Sequence, residues 1–454
     1  MKKFILLLCL TPLLIFSCKE EFDQPITTDA ELDLNDENRA RKQRRKRFVE
    51  FTVRIENINT PHRFFASGGF GTAPAFPGED YTFSFNAGPG TKLSFATMLV
   101  QSNDLFFGPG EAGIALYDAS NNPISGDVTD QVDLWDAGTE VNEEPGTGPN
   151  QAPRQSGPNT GVDENGTVEL IENVNDGFTH PTVEESIQVI IESNFGSPTG
   201  FRVTIKNISA GSSLPSPLAP GNFVIHTTDA PLFTVGEADR GVGLEELAED
   251  GNNAPLTSYL ADNTGLVTPF APGTWAAHRP YATPFFIVGQ PDLGFGLEAL
   301  AEDGDPGPHA ASLATMRTVE FSGVFNTPDG ASAPAPIFPG EAYEFTIQGK
   351  PGANLSFATM LVQSNDLFVG PGENGIPLFD RYRRPLSGDI TDLLDLWDAG
   401  TEVNEFPGAG LNQAPRQSGP NVGEDENGPV VIVRDQFEYP ELSDIIRVTI
   451  TPNF

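Results

Sequence analysis

The chain has 454 residues, 63 of them acidic against 26 basic, for a formal net charge of −37. Such a body repels nucleic acid and anionic membrane faces and attracts cations, so nucleic acid is excluded as a partner. Both cysteines, Cys9 and Cys18, fall within the first eighteen residues. The remainder must therefore be stabilised by burial or by metal, not by disulfides.

Met1-Lys2-Lys3 precedes an apolar run from Phe4 to Phe16, followed by Ser17-Cys18. A basic start, an apolar run too short for an ordinary spanning helix and a small residue before the cysteine form a secretory signal. Residues 1–18 resemble a bacterial lipoprotein signal, which implies that Cys18 carries a lipid. An ordinary secretory signal with an incidental cysteine is the alternative. Lys19-Glu20-Glu21 resembles the acidic export tag of bacterial surface lipoproteins, and implies anchoring in the outer membrane with surface exposure. Residues 19–46 are polar and aperiodic and read as a flexible linker. The basic tract Arg41 to Arg47 reads as part of a solvated tether, with a nucleic-acid or membrane patch as the alternative.

Beyond the linker, 47 glycines and 40 prolines separate short alternating runs such as Phe51 to Ile58, Tyr81 to Phe85, Ser186 to Ile191 and Phe201 to Ile208. Period-two alternation with close turn signals predicts an all-β chain of antiparallel sandwiches. Residues 92–168 and 354–430 align without a gap at an offset of 262, with about three-quarters of positions identical. The closing runs Ile187 to Phe195 and Ile446 to Phe454 also correspond. Two tandem domains follow, at 47–195 and 200–454, with the boundary near Gly196–Gly200. Residues 217–251 are echoed at 269–304, each ending in a helix-like stretch, Gly243 to Asp250 and Gly296 to Asp303, stopped by glycine. This duplicated helical module, 217–304, is expected in the second domain and absent from the first.

Three acids stand out in each copy: Asp104, Asp136 and Glu140, and Asp366, Asp398 and Glu402. Asp104 and Asp366 end apolar strands. The other pairs sit four apart around a glycine, in Trp-Asp-Ala-Gly-Thr-Glu. Converging hard oxygens suit Ca²⁺, whereas the scattered histidines and the absence of cysteine argue against Zn²⁺. A solvated turn rich in Asp and Gly is the alternative.

Asn-Asp-Leu-Phe followed by Trp-Asp-Ala-Gly-Thr-Glu resembles the spondin N-terminal domain, as in F-spondin and mindin. The likeness covers essentially all of the second copy, including Ala271-Pro-Gly-Thr-Trp-Ala-Ala-His278, and the latter half of the pattern in the first. It implies a C2-like β-sandwich binding one calcium ion per copy through the strand-end aspartate and two acids of the motif. Asp104, Asp136 and Glu140 would be one site, and Asp366, Asp398 and Glu402 the other. In the last position the animal members have aspartate, and their disulfide cysteines are absent here.

A polar loop, Asn150 to Asn159, repeats at Asn412 to Asn421. Arg154, Gln155, Arg416 and Gln417 could face an acidic or sugar ligand, or could pin an ordered surface loop. Asp163 or Asp425 could add a metal oxygen. Trp135, Trp275 and Trp397 read as core or calcium-loop packing residues, with a sugar-stacking platform as the alternative. The chain lacks a nucleophile elbow, a His-Glu-x-x-His, a phosphate loop and a cysteine nucleophile, so it is not expected to be an enzyme. The sequence thus predicts a lipid-anchored surface protein with two calcium-binding domains, acting in adhesion or in binding an extracellular protein or glycan. A structural envelope protein rigidified by calcium is the alternative, and a glycan-active enzyme a more distant one.

Overall fold

Alternation dictates the outer strands. In Phe51-Thr-Val-Arg-Ile55, the odd positions Phe51, Val53 and Ile55 are fully buried, while Thr52 and Arg54 face outward. A computed structural model describes residues 48–454; the signal segment, Cys18 and the linker lie outside the described residues. In chain order the strands are β1 (Val49–Asn57), β2 (Phe64–Phe70), β3 (Asp80–Asn86), β4 (Lys92–Met98), β5 (Leu105–Pro109), β6 (Ile114–Ala115), β7 (Gly126–Asp127), β8 (Val132–Asp136), β9 (Glu169–Leu170), β10 (Ile187–Ser193) and β11 (Gly200–Asn207). They continue with β12 (Gly221–His226), β13 (Phe270–His278), β14 (Val319–Phe325), β15 (Ala342–Gly349), β16 (Asn354–Leu361), β17 (Leu367–Pro371), β18 (Ile376–Pro377), β19 (Gly388–Asp389), β20 (Leu394–Asp398), β21 (Val431–Ile432) and β22 (Ile446–Asn453). Four helices matter to the argument: α1 (Leu244–Asp250), α2 (Ala254–Asp262), α3 (Leu297–Asp303) and α4 (Gly307–Leu313).

The strands form two antiparallel β-sandwiches. In one lobe, a sheet ordered β3-β11-β10-β7 faces a sheet ordered β2-β12-β4-β5-β8-β9, with β6 beside β4. In the other, β15-β1-β22-β19 faces β14-β13-β16-β17-β20-β21, with β18 beside β16. Phe83, Phe85, Phe95, Phe107, Phe201 and Phe223 fill the first interior. Phe51, Tyr343, Phe357 and Val448 belong to the second.

These pairings overturn the tandem order expected from the repeat. β11 pairs with β10 and β3, and β12 pairs with β2 and β4, so residues 200–226 complete the first lobe. β1, the first strand of the body, pairs instead with β15 and β22 of the second lobe. The first lobe, 64–262, is thus inserted into the second, between its strands β1 and β13. It is also circularly permuted: Asn194–Thr199 is the turn joining β10 to β11, not an interdomain linker. At the same place in the second lobe, Glu50 of β1 lies beside Asn453 of β22. Both domain boundaries proposed from sequence are corrected accordingly. The sequence misleads because strand pairing is non-local, and a duplicated strand carries no label saying which sheet it joins.

The helical module is corrected for the same reason. Each lobe owns one copy. In the first lobe Leu244, Leu247, Leu256 and Leu260 of α1 and α2 cover the outer face of the larger sheet, over Phe106, Trp135 and Val224. In the second lobe α3 and α4 do the same, with Leu297, Leu300 and Leu313 over Phe368 and Trp397. This third layer explains why β4, β5, β16 and β17 are buried on both faces and do not alternate.

The two chain crossings between lobes are tied together. Arg63 and Phe64 both donate their backbone N–H to the Asn263 carbonyl, and Gly265 donates back to Phe64. The lobes also touch directly. The Phe65 ring meets Phe406 edge-on at 6.3 Å, and a Cβ on Gly88 would lie 2.7 Å from the Ala409 carbonyl oxygen. Residues 48–454 accordingly form one compact unit. No helix among the described residues is long and apolar enough to cross a membrane.

Candidate metal centres

Register brings the first two acids together. Leu105 of β5 sits opposite Asp136 of β8, so Asp104, just before β5, lies beside the end of β8. The turn after Asp136 then closes over Asp104. The backbone N–H groups of Thr139 and Glu140 donate to Asp104 Oδ2 at 2.9 and 3.1 Å. Gly138 donates to Asp136 Oδ1 at 2.7 Å, and the Asn142 amide to Asp136 Oδ2 at 2.6 Å. Gly138 has a φ of +68°, and a Cβ there would lie 2.6 Å from the Thr167 backbone, so the turn requires glycine.

The third acid in the cluster is Glu164. Its N–H donates to the Thr139 carbonyl and the N–H of Gly166 to the Gly138 carbonyl, which fastens the returning loop to the turn. Carboxylate oxygens of Asp104, Asp136 and Glu164 lie within 4.8 Å of one another. The second lobe repeats this with Asp366, Asp398 and Glu426. Two buried aspartates in each lobe, with an exposed glutamate completing the triad, could thus hold a metal ion.

The geometry brings together four of the six acids expected from sequence and separates Glu140 and Glu402 from their triads. Both are buried, but they serve the loop. Glu140 accepts from Gly161 N–H at 2.7 Å and from the Asn103 amide at 3.2 Å; Glu402 accepts from Gly423 and Asn365 at 2.8 and 3.2 Å. The spacing of four does not converge because the turn sends its two carboxylates apart. A readable signal for the third acid existed in the repeated Asp163-Glu-Asn-Gly166 and Asp425-Glu-Asn-Gly428. Asp163 bridges Glu140 and Asp425 bridges Glu402 in extended backbone. Period-two alternation then places the next residue on the other side.

The electrostatics show strain that a cation would relieve. Asp104 Oδ1 and Asp366 Oδ1 are buried and have no hydrogen-bond partner. Burial, with the neighbouring Asp136 charge second, holds Asp104 well above the usual carboxylate range. Burial and Asp398 push Asp366 up to about 7. Asp136, Asp398, Glu164 and Glu426 are also raised, burial being the largest cause in each. Just behind the turn, Glu249 of α1 and Glu302 of α3 are buried and pushed up to about 7 and about 8. Like charges without solvent or counter-charge favour either a proton or a cation.

The polar loop behaves as an internal brace. Arg154 donates to the Gly148 carbonyl at 2.7 Å and to the Gln101 side chain at 3.0 Å, and also bonds Gln151. Arg416 repeats this with Gly410, Gln363 and Gln413. Gln155 and Gln417 reach Asp250 and Asp303 on the helices at 2.7 and 2.9 Å. These four side chains are occupied in fastening the loop to its own lobe. Trp135 and Trp397 are buried, with indole N–H donated to the Gly108 and Gly370 carbonyls at 3.0 Å.

No family model and no curated protein matches the chain.

Proposed function

We propose that this chain is a binding or adhesion protein of the bacterial surface whose two spondin-like lobes each hold one calcium ion. The observation that carries the cation is the pair of buried, unpartnered oxygens, Asp104 Oδ1 and Asp366 Oδ1, each beside two further carboxylates. Calcium suits the donor set, because the triads are all-carboxylate and Ca²⁺ accepts six to eight oxygens in flexible geometry. Asp104, Asp136 and Glu164 would hold one ion, and Asp366, Asp398 and Glu426 the other. Glu140 and Glu402 would shape the loop around it. The bound charge would rigidify a turn and a long polar loop that otherwise rest on short hydrogen-bonded contacts. The resemblance to mindin and F-spondin supports a role in adhesion, and the lipoprotein-like start supports outer-membrane anchoring.

The test is thermal unfolding in EDTA, then with millimolar Ca²⁺ or Mg²⁺, for the parent and for Asp104→Asn/Asp366→Asn. A cation at about 100 times its dissociation constant adds about 2.7 kcal/mol to the native state. A calcium-specific rise in the midpoint that the double variant lacks is the expected result. An equal midpoint in all three conditions would show that the triads are turn residues.

A further inference from the structure

About a quarter of the aligned positions differ between the two copies, and the longest unbroken run of differences is a single turn. The first copy reads Asp118-Ala-Ser-Asn-Asn-Pro123; the second reads Asp380-Arg-Tyr-Arg-Arg-Pro385. The backbone of the turn is unchanged. Asp118 N–H donates to the Asn122 carbonyl and Asp380 N–H to the Arg384 carbonyl, both at 2.9 Å. Tyr117 bridges Pro123 as Phe379 bridges Pro385. The aspartate in each accepts from the N–H groups two and four residues on, at 2.8–2.9 Å.

What has changed is the surface. All four substituted positions are exposed in both copies. In the second copy they carry a tyrosine whose exposure is 66% and three guanidinium groups, of which Arg384 is paired through Nε with Asp380 at 2.6 Å. Arg381 and Arg384 stack on the Tyr382 ring, with guanidinium carbons 4.7 and 5.5 Å from its centroid. That stacking holds the forks around one exposed ring. Arg383 sits at a φ of +64°, where the first copy has Asn121 at +60°. Asparagine suits this left-handed position and arginine does not, so turn stability does not explain the change at position 383. At position 384 the arginine pairs with Asp380 where Asn122 of the first copy donates to Asp118. A cationic turn on a chain of net charge −37 also runs against the composition of its surroundings.

We propose that the turn Arg381–Arg384 is a binding tip for an acidic polysaccharide. Guanidinium forks pair with carboxylate or sulfate groups in bidentate fashion, and an exposed tyrosine ring packs against the C–H face of a sugar. A flexible polyanion can lie across one exposed turn. An anionic bilayer would instead have to approach the acidic body around it. The inference gives a ligand class to the binding role proposed above and rests on that reading only to this extent.

The test uses the full chain with residues 41–47 replaced by Gly and Ser throughout, so that this basic tract does not contribute. Binding to immobilised polygalacturonate and dextran sulfate is measured in 0.1 M NaCl, with neutral dextran as control and phosphatidylglycerol vesicles as a separate arm. Exchanging the turn for that of the first copy, by Arg381→Ala, Tyr382→Ser, Arg383→Asn and Arg384→Asn, should weaken polysaccharide binding about tenfold or more. The parent's affinity should fall with added salt, and the exchanged variant should lose most of that dependence. The reverse exchange, Ala119→Arg, Ser120→Tyr, Asn121→Arg and Asn122→Arg, should strengthen binding. The calcium-induced melting shift is recorded on the same variants. Its retention in the exchanged chain separates failure of the turn from failure of the metal centres. Unaltered polysaccharide binding after exchange, or binding to vesicles without binding to polysaccharide, would overturn the proposal.

Discussion

Asp104 and Asp366 are costly residues in the metal-free protein, because each buries a carboxylate oxygen that nothing satisfies. Leaving such an atom unpaired costs about 1–3 kcal/mol or more. Asp104→Asn/Asp366→Asn removes the charge beside Asp136 and Asp398 and puts an amide donor in its place, so the unfolding midpoint in EDTA should rise by a few degrees while the response to calcium is abolished. A fall in EDTA would mean that the carboxylates already have compensating partners. Glu164→Gln should weaken calcium binding, as read by the calcium concentration needed to shift the midpoint. Glu140→Gln should mainly destabilise the loop, by about 1 kcal/mol, through its bond to the Gly161 N–H. The pH dependence follows from the same residues. An acid whose folded pKa is raised binds its proton more tightly when folded, so stability is gained as pH falls through that value and lost as pH rises. With Asp366 and Glu249 near 7 and Glu302 near 8, the EDTA-treated protein should gain stability between about pH 8 and 6.5. Below that range His309, lowered to about 4 by burial, opposes the gain, since it must charge in an apolar site. In saturating calcium the share of the gain that comes from Asp366 should disappear, because protons and the cation compete for its oxygens, whereas Glu249 and Glu302, which lie outside the triads, should keep theirs. Midpoints measured across this range with and without calcium check both signs.

At the scale of elements, the insertion makes β1 and the first lobe separable in a way the repeat alone does not suggest. Deleting residues 48–57 removes Phe51, Val53 and Ile55 from the second interior. Each contributes about 2 kcal/mol of burial, and both neighbours of β1 are left as open edges. The second lobe should unfold, whereas the first, which owns β2 through β12, should stand. Trp135 reports on the first lobe and Trp397 on the second, so single-tryptophan variants resolve the two transitions. Equal loss in both lobes would show that the lobes fold only together. The two crossings reinforce this design. The Asn57 amide donates to the carbonyls of Thr268 and Ile337, and the Asn207 amide makes the equivalent pair of bonds to Ala75 and Ser216. The same asparagine thus closes each first strand, although its partner strands come from opposite directions along the chain.

For the whole molecule, the dominant force beyond packing is charge. Sixty-three acids against 26 bases give the chain its net charge of −37, and the two triads concentrate its repulsion in buried positions. Monovalent salt screens the surface part over about 10 Å at 0.1 M but reaches the buried triads far less. In EDTA, raising NaCl from 0.02 to about 0.5 M should lift the midpoint steadily, and saturating calcium should add a further increment that salt does not replace. If salt alone recovered the whole calcium increment, the cation would be acting as a general counter-ion and not at the triads.

Much of this protein was legible in its residues. Period-two runs and dense Gly and Pro punctuation specify strands and turns locally, because side-chain direction alternates with the backbone itself. The duplication pointed to two equivalent lobes, and Asp104, Asp136, Asp366 and Asp398 stood out because their turn chemistry is local. Two things depended on tertiary structure. Which sheet receives β1, β11 and β12 is decided by strand pairing beyond the reach of local sequence, where similar alternating runs offer no preference. Which acid completes each triad is decided by the hydrogen bonds from Glu164 and Glu426 to the turn carbonyls, which carry those side chains in from a loop more than twenty residues away. Local chemistry fixed what each segment can be, and the non-local closing of two sandwiches decided which segments meet.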